Sequence, residues 1–262
     1  MEMPPWRYEP ALDLGHPFLE RLRRFPREPE MLVHAVRSTA ALAIRGWLRF
    51  YHRFTIVGRE NLPEDQSFVV VANHASHLDP LCLLSSLPLG QLHRAHPAAA
   101  RDYFFVGVPG LLAAVVIANA LPFDRGTDLR ESLDLCRGAL DEPGTVVVIF
   151  PEGTRSVNGE VGEFKAGIGL LAAGSRYPVV PCHLEGSHAA LPKGRWLPRP
   201  RRIRLTIGAP RVYSHLEPTA SSAHRIGREL RQAVLDLAPT APPHQIPSLG
   251  SRIRLGACPR IN

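Results

Sequence analysis

Two short runs of β-branched residues, each followed at once by a polar loop, constrain the fold of this chain most. The first is FVVVAN at 68–73, which leads into HASHLDP, and the second is TVVVIF at 145–150, which leads into PEGTRS. Continuous apolar runs of this length predict strands that are buried on both faces. Such strands lie in sheets that helices cover on both sides. The runs therefore predict an α/β protein.

Helical and strand patterns alternate along the rest of the chain. They predict further strands at 93–99, 178–183 and 202–208, and helices at 80–87, 127–140, 164–174 and 222–237. This order favours a single domain over 55–237, with a mixed, largely parallel sheet flanked by helices. The segments at either end, 1–30 and 238–262, are rich in proline. They are predicted to be an irregular arm and a flexible tail.

Residues 31–54 carry the pattern of an N-terminal amphipathic helix. Its apolar side is opposed by a broad basic side that comprises Arg37, Arg45, Arg49 and Arg53. Two interpretations stay open: a surface helix packed on the domain, or a helix lying in the lipid headgroup layer. The chain has 31 Lys and Arg against 24 Asp and Glu, a net charge of +7. This excess favours phosphates, anionic headgroups or nucleic acid as partners, without choosing among them.

An uncharged segment of 21 residues extends over 103–123 and is long enough to span a bilayer. Pro109 interrupts it between two glycines, and it runs directly into LPFDRG at 121–126, which is predicted to be a strand and a site loop. We therefore favour a buried or membrane-dipping helix over a span. The N-terminus lacks the pattern of a secretory signal. The four widely spaced cysteines predict neither a disulfide framework nor a zinc ribbon, and a reducing, cytosol-facing location is expected.

The loop after the first strand carries a candidate general base. Asp79 follows His74 by five residues. A carboxylate at that spacing can accept the Nδ1 proton of the imidazole, which leaves Nε2 to take a proton from a hydroxyl. The alternative is that Asp79 caps a helix and His74 is an ordinary loop residue. The two interpretations are compatible.

Other catalytic chemistries fit this sequence less well. A metal site would have to draw on His74, His77, Asp79, His93 and His96, but these residues share no regular element and no H-E-x-x-H occurs, so no metal is expected. No G-x-S-x-G is present to supply a serine nucleophile. Cys82 lies in an apolar run and is predicted to be a core residue and not a reactive thiolate.

The loop after the second strand is suited to binding phosphate. Because ligands bind at the carboxyl ends of parallel strands, this loop and the His74 loop are expected to build one site. Gly153 permits close approach of the backbone, Thr154 offers a hydroxyl, and Arg155 offers a planar guanidinium that matches phosphate oxygens. Arg125 in LPFDRG is placed to add a second positive contact. The alternative is an exposed turn with a solvated arginine.

Taken together, four segments resemble a known family. NHASHLD, LPFDRG, FPEGTRS and VVPCHLEG (179–186) resemble the four ordered motifs of the glycerolipid acyltransferases, which include 1-acyl-glycerol-3-phosphate acyltransferases and related lysophospholipid acyltransferases. The resemblance covers about residues 50 to 210. Four motifs in order are far more specific than any one of them. The resemblance implies an α/β fold of the glycerolphosphate acyltransferase type.

The resemblance also implies roles for individual residues. His74 and Asp79 would form the catalytic dyad. The acceptor phosphate would be bound by residues of the second and third motifs, namely Arg125, Glu152, Gly153, Thr154 and Arg155. Pro181 would support the site from the fourth motif, and Lys165 matches a basic position that often follows the third. A lysine common before the apolar segment appears here as Arg101, which keeps the charge but changes its geometry.

The activity implied is transfer of a fatty acyl group from acyl-CoA or acyl carrier protein to the hydroxyl of a lysophospholipid-type acceptor such as 1-acyl-glycerol-3-phosphate. No cofactor beyond the thioester co-substrate is expected. Membrane phospholipids are expected partners at the cytoplasmic face of a membrane, and nucleic acid is not, because no recognition motif occurs. Two rival functions remain: a hydrolase or transacylase using the same dyad, and a non-catalytic phospholipid-binding relative.

Overall fold

A computed structural model of the chain describes residues 31–100, 121–123 and 129–239. Its strands are β1 Thr55–Val57, β2 Phe68–Ala72, β3 Ala95–Ala100, β4 Leu121–Phe123, β5 Val146–Ile149, β6 Val179–Glu185 and β7 Arg204–Ile207. Its helices are α1 Met31–Tyr51, α2 Asp79–Ser86, α3 Leu89–Leu92, α4 Leu129–Asp141, α5 Ala166–Ala172, α6 Ser187–Ala190 and α7 Ala220–Asp236, and Arg59–Asn61 form a 3-10 turn. The predictions for the arm 1–30 and for most of the tail lie outside the described residues.

The described strands form one sheet in the order β1-β7-β6-β2-β5-β3-β4. At its centre β2 lies parallel to both neighbours, with Val71 opposite Ile149 of β5 and Pro181 of β6. Within this sheet β6 and β7 are the antiparallel pair, with Cys182 opposite Ile207. The predicted α/β domain with a mixed, largely parallel sheet is therefore confirmed.

Alternate residues of the central strand face two separate cores. Phe68 and Val70 pack on one side of the sheet with the apolar residues of α1, α2 and α3. Val69 and Val71 pack on the other side with α4, α5 and α7. Every residue of β2 is buried, because helices cover both faces. This is why the strand appears in the sequence as a continuous apolar run and not as an alternating one.

Helices α5 and α7 approach each other at the level of their backbones. A Cβ added at Gly169 of α5 would lie 2.0 Å from the carbonyl oxygen of Ala223 in α7. Thr219 caps α7 by accepting a hydrogen bond from the Ser222 N–H at 3.2 Å. The packing of this helix layer thus depends on the absence of a side chain at position 169.

Helix α1 divides its basic residues between two faces, and the single basic side inferred from the sequence is wrong. Arg37 is 4% exposed. Arg45 is partly buried and donates a hydrogen bond to the carbonyl of Leu87 at the end of α2. Both face the domain because they share a side of the helix with the buried Leu48, and the long stem of an arginine packs like an apolar side chain. The opposite side exposes Phe50.

Of the helices within the described ranges, none has the length and hydropathy that a bilayer span requires. Residues 103–120, which make up most of the uncharged segment, lie outside the described residues. Its last three residues form β4, the strand expected from LPFDRG, and this strand pairs with β3 at the edge of the sheet.

Candidate active site

The loops that follow β2 and β5 lie side by side at the carboxyl edge of the sheet. The two strands are adjacent and parallel, so both chains leave the sheet at the same edge. The N–H of Ser156 in the second loop donates to the carbonyl of His74 in the first at 2.7 Å. The convergence of the two polar loops predicted from the sequence is therefore present.

His74 and Asp79 are in direct contact, with Nδ1 of the imidazole 3.0 Å from Oδ2 of the carboxylate. Asp79 is the first residue of α2 and is fully buried. Its Oδ2 also accepts the N–H groups of Ala75 and Ser76, each at 2.7 Å. The carboxylate thus binds the backbone of its own loop. It does not cap the first turn of α2 with its side chain, which was the alternative role.

A second contact fixes the plane of the imidazole. The His74 ring stacks on Phe150, with ring centroids 4.1 Å apart and an interplanar angle of 20°. The His74 side chain keeps 16% of its surface exposed. Because Nδ1 faces Asp79, Nε2 is the nitrogen that can take a proton from a substrate hydroxyl. This is the geometry that a histidine base oriented by a carboxylate requires.

Glu152 ties three segments of the site together. Its Oε1 accepts the N–H of His74 at 2.8 Å, and its Oε2 accepts the N–H of Gly162 at 3.1 Å. Glu152 is 8% exposed. Burial raises its pKa, and the two backbone hydrogen bonds oppose that rise. In this geometry the carboxylate braces the loops, a different role from the phosphate binding that the resemblance implied.

In the loop after β5, the side chain of Lys165 packs against the backbone of Gly153. Gly153 has a φ of 73°, in the left-handed region that favours glycine, and a Cβ there would lie 2.8 Å from Nζ of Lys165. The backbone N–H of Lys165 donates to the carbonyl of Pro151 at 3.0 Å, which holds this residue against the loop. Thr154 is exposed beside them. Backbone, hydroxyl and ammonium groups therefore meet at one surface.

Arg155 brings a second cation close to the dyad. Its side chain is partly buried; burial lowers its pKa, and the charge of Asp79 raises it. The pKa of His77 is lowered to about 4. Burial is the largest cause, and the nearby charges of Arg155 and His74 add to it. His77 is therefore neutral at neutral pH, and Arg155 supplies positive charge beside His74.

Two predicted cations, Arg125 and Arg101, lie outside the described residues. Among the residues that the structure describes, no group of three or more His, Cys, Asp or Glu side chains is arranged to hold a metal ion. Cys82 is fully buried and burial raises its pKa well above the usual range, which confirms its place in the core. Pro181 is buried in β6, where its carbonyl accepts the Gly208 N–H at 2.8 Å.

Two positioning residues were not identified from the sequence. Asn73 exchanges two hydrogen bonds with the backbone of Leu184, accepting at 2.7 Å and donating at 3.0 Å, and so joins the end of β2 to β6. Ser76 donates to the carbonyl of Leu191 at 2.8 Å. The available signal was a polar side chain at the end of a buried strand, because buried polar groups are nearly always hydrogen-bonded.

The sequence of this chain is similar to those of known acyltransferases. A family model described as Acyltransferase matches residues 53–185. A chloroplastic 1-acyl-sn-glycerol-3-phosphate acyltransferase from Brassica napus is 33% identical over 189 residues, which is 69% of this chain and 49% of that protein. The alpha form from Homo sapiens is 35% identical over 132 residues, which is 49% of this chain and 44% of that protein. The chain thus spans about half the length of the curated relatives it matches.

A solved structure has the same fold. The crystal structure of the 1-acyl-sn-glycerophosphate (LPA) acyltransferase PlsC from Thermotoga maritima superimposes with a TM-score of 0.60 at 24% identity, covering 85% of this chain and 88% of that one. The family match begins two residues after α1 and ends with β6, so it includes both polar loops. This chain belongs to the acyltransferase family.

Proposed function

We propose that this chain is an O-acyltransferase that moves a fatty acyl group from acyl-CoA or acyl carrier protein to the free hydroxyl of a lysophospholipid acceptor such as 1-acyl-glycerol-3-phosphate. The observation that carries the proposal is the 3.0 Å contact between His74 and Asp79. It lies where two parallel strands end, which is where α/β sheets bind ligands. The names of the relatives from Brassica napus and Homo sapiens support the choice of acceptor.

In the proposed reaction Nε2 of His74 takes the proton of the acceptor hydroxyl as its oxygen attacks the thioester carbonyl carbon. Asp79 stabilises the imidazolium that forms. The new carbon–oxygen bond forms, the carbon–sulfur bond breaks, and the proton passes from His74 to the departing thiolate. The products are the acylated lipid and a free thiol, and no cofactor takes part.

The acceptor phosphate is proposed to bind near the loop after β5. Arg155 and Lys165 supply positive charge there, and Gly153 allows the backbone to approach the phosphate. Arg125 and Arg101 are proposed to add to this charge. A phosphate held at this edge places the acceptor hydroxyl within reach of His74, since the two loops are joined through Ser156.

Both acyl substrates and products are lipids, so the reaction is proposed to occur at the cytoplasmic face of a membrane with the protein bound to its surface. Helix α1 supports this because Phe50 is 86% exposed beside the exposed Arg49. An aromatic residue next to a cation is typical of helix surfaces that contact lipid headgroups.

The test is release of free thiol from long-chain acyl-CoA with and without lysophosphatidic acid. The same acyl group carried on acyl carrier protein is the second donor. We expect acceptor-dependent release that falls by about 10²- to 10⁴-fold in His74→Ala. His224→Ala, which removes an exposed histidine from α7, is the matched control and should retain full activity.

Each other outcome contradicts a stated part of the proposal. Thiol and fatty acid release without acceptor would mean a hydrolase. Equal release from wild type and His74→Ala would exclude His74 as the base. No release with either donor across a panel of lysolipids would exclude this substrate class, whereas lysolipid binding without turnover would indicate a non-catalytic relative.

A further inference from the structure

A loop distant from the dyad in sequence exposes two large apolar side chains. Residues 191–199, here called the Trp196 loop, present Trp196 at 95% exposure and Leu197 at 82%. Single exposed apolar residues are ordinary on protein surfaces, but Trp is highly buried on average, and an adjacent fully exposed Trp and Leu form an apolar tip. These two side chains bury almost no apolar area within the domain, which favours a contact with a partner outside it.

The Trp196 loop is held firmly at its base. Its two ends are joined by the Arg199 N–H, which donates to the carbonyl of Ala190 at 2.8 Å. A turn within it is closed by the Arg195 N–H donating to Pro192 at 3.2 Å. The hydroxyl of Tyr51, the last residue of α1, donates to the carbonyl of Pro198 at 3.0 Å. Hydrogen bonds to Ala190, within the loop and to the end of α1 therefore hold the segment that carries the exposed pair.

The chain on either side of the apolar tip carries exposed basic residues and no acidic ones. No acidic residue occurs between Glu185 and Glu217. The exposed cations of this stretch that flank the tip are Lys193, Arg195, Arg199, Arg201 and Arg202. The adjoining end of α1 adds the exposed Arg49 and Phe50. Exposed cations next to aromatic and aliphatic side chains complement an anionic surface with an apolar phase beneath it.

The same loop begins at the candidate active site. Its first residue, Leu191, accepts the hydrogen bond from Ser76, which lies between His74 and Asp79 in the chain. Just before it, His188 contacts the carbonyl of Val157 in the loop after β5 at 3.0 Å, and Val157 is itself 76% exposed. A surface that binds the Trp196 loop would therefore lie next to the opening of the site.

We propose that the Trp196 loop docks this protein on a bilayer rich in anionic phospholipid, with Trp196 and Leu197 entering the interfacial layer and the surrounding cations contacting lipid phosphates. This deepens the proposed function, because it brings the site to lipid-borne substrates, but docking itself requires no turnover. An anionic bilayer fits better than nucleic acid because the tip joins the aliphatic Leu197, 82% exposed, to Trp196, and an aliphatic side chain can neither stack on a base nor bind a phosphate.

The test is sedimentation of the full chain with phosphatidylcholine vesicles that contain or lack phosphatidylglycerol. We expect wild type to bind the anionic vesicles and to release at high salt. Trp196→Ser with Leu197→Ser should weaken binding at least about tenfold, because the buried apolar area of two large side chains is lost. Val212→Ser is the matched control, since Val212 is 47% exposed. It follows Arg211, which pairs with Val179 at the start of β6, the end of that strand opposite to the candidate site.

A second pair of variants tests the charge. Lys193→Ala with Arg195→Ala should lower the preference for phosphatidylglycerol, whereas Arg225→Ala with Arg228→Ala, which removes two exposed arginines from α7, should not. A blue shift of fluorescence on vesicle binding that is lost in Trp196→Phe would place this indole in the lipid. Unchanged binding in the Trp196 loop variants, equal loss in both control variants, or binding to duplex DNA but not to vesicles would each overturn the proposal.

Acyl transfer to a detergent-dispersed acceptor separates this inference from the proposed function. If docking is correct, the Trp196 and Leu197 double variant should lose activity on vesicles and keep it in detergent. Full vesicle activity in that variant would refute docking while the transferase assignment stands. Vesicle binding that depends on Trp196, with no transfer by wild type in either medium, would refute the transferase assignment and leave docking intact.

Discussion

The backbone N–H of His74 donates to Oε1 of Glu152 at 2.8 Å, across a sequence separation of 78 residues. The proposed base is thus held by a side chain from the loop of the neighbouring strand. Since Oε2 of the same carboxylate binds Gly162, a single buried residue sets the spacing of the dyad loop and the loop after β5.

Replacing Glu152 should therefore impair both stability and turnover. Glu152→Ala leaves two partly buried N–H groups without their acceptor, at a total cost of about 1–3 kcal/mol in the free energy of unfolding. Glu152→Gln keeps one acceptor oxygen and should be intermediate. Urea unfolding together with steady-state kinetics provides the check. If Glu152→Ala raised only the KM for the acceptor and left stability unchanged, the phosphate-binding role would be favoured over the brace.

Replacing Asp79 with asparagine should separate the effect of its negative charge on His74 from its hydrogen bonds to the loop backbone. Asn keeps an oxygen able to accept the N–H groups of Ala75 and Ser76 but cannot stabilise an imidazolium by charge. We expect kcat to fall by about 10²- to 10⁴-fold while the fold persists. Thiol release and circular dichroism would measure the two effects. Near wild-type kcat in a folded Asp79→Asn protein would remove the carboxylate from the mechanism.

Loss of Arg155 should weaken use of the acceptor more than use of the donor. A cation that grips a remote phosphate contributes binding and orientation, so Arg155→Ala should raise the acceptor KM by about tenfold or more and leave the donor KM unchanged. Arg176→Ala, at an exposed arginine on the loop between α5 and β6, is the matched control. An equal rise in both KM values would argue against a phosphate contact at Arg155.

His77 should make stability fall as the pH is lowered below 6.5. Its folded pKa is about 4, against 6.5 as the ordinary value, so between those values the unfolded chain binds a proton that the folded chain does not. The free energy of unfolding then decreases as pH falls from 6.5 to 4. His77→Gln should flatten this part of the profile in urea unfolding, whereas His215→Gln, on the loop before α7, should not. Parallel profiles for wild type and His77→Gln would contradict the lowered pKa.

Two glycine substitutions should have opposite effects on stability. Gly169→Ala places a methyl group against the backbone of Ala223 and should cost about 2–3 kcal/mol, as overpacked helix contacts do. Gly138→Ala in α4 meets nothing within 4 Å and should stabilise by about 0.5–1 kcal/mol through helix propensity. Thermal unfolding compares the two. A neutral Gly169→Ala would mean that α5 and α7 separate without cost.

The sequence predicted the sheet well where burial was unambiguous. β2 and β5 were found because their residues are buried on both faces, and the site followed from the rule that adjacent parallel strands end at one edge. β1 was missed because its three residues, Thr55–Val57, are largely exposed and carry no apolar run. The inward turn of Arg37 was missed because periodicity counts arginine as polar, although its stem packs in the helix interface.

Local spacing predicted the contact between His74 and Asp79, but it could not predict the residues that hold their loop in place. His74 and Asp79 are five residues apart, so their contact is decided within one loop. Asn73 and Leu184 are 111 residues apart, and their contact exists only because β6 lies next to β2. Identifying such partners requires the strand order, which a single sequence does not reveal.

The central position of β2 has a consequence for how the proposed activity would be gained during folding. The strand that leads into the His74 loop pairs with two strands that come much later in the chain, so the site depends on contacts between residues far apart in sequence and is completed only after long loops have closed. Helices such as α7 can form early from local sequence. During refolding, the recovery of turnover should therefore lag behind the recovery of helical signal, and nascent chains that have not yet reached β6 should be inactive.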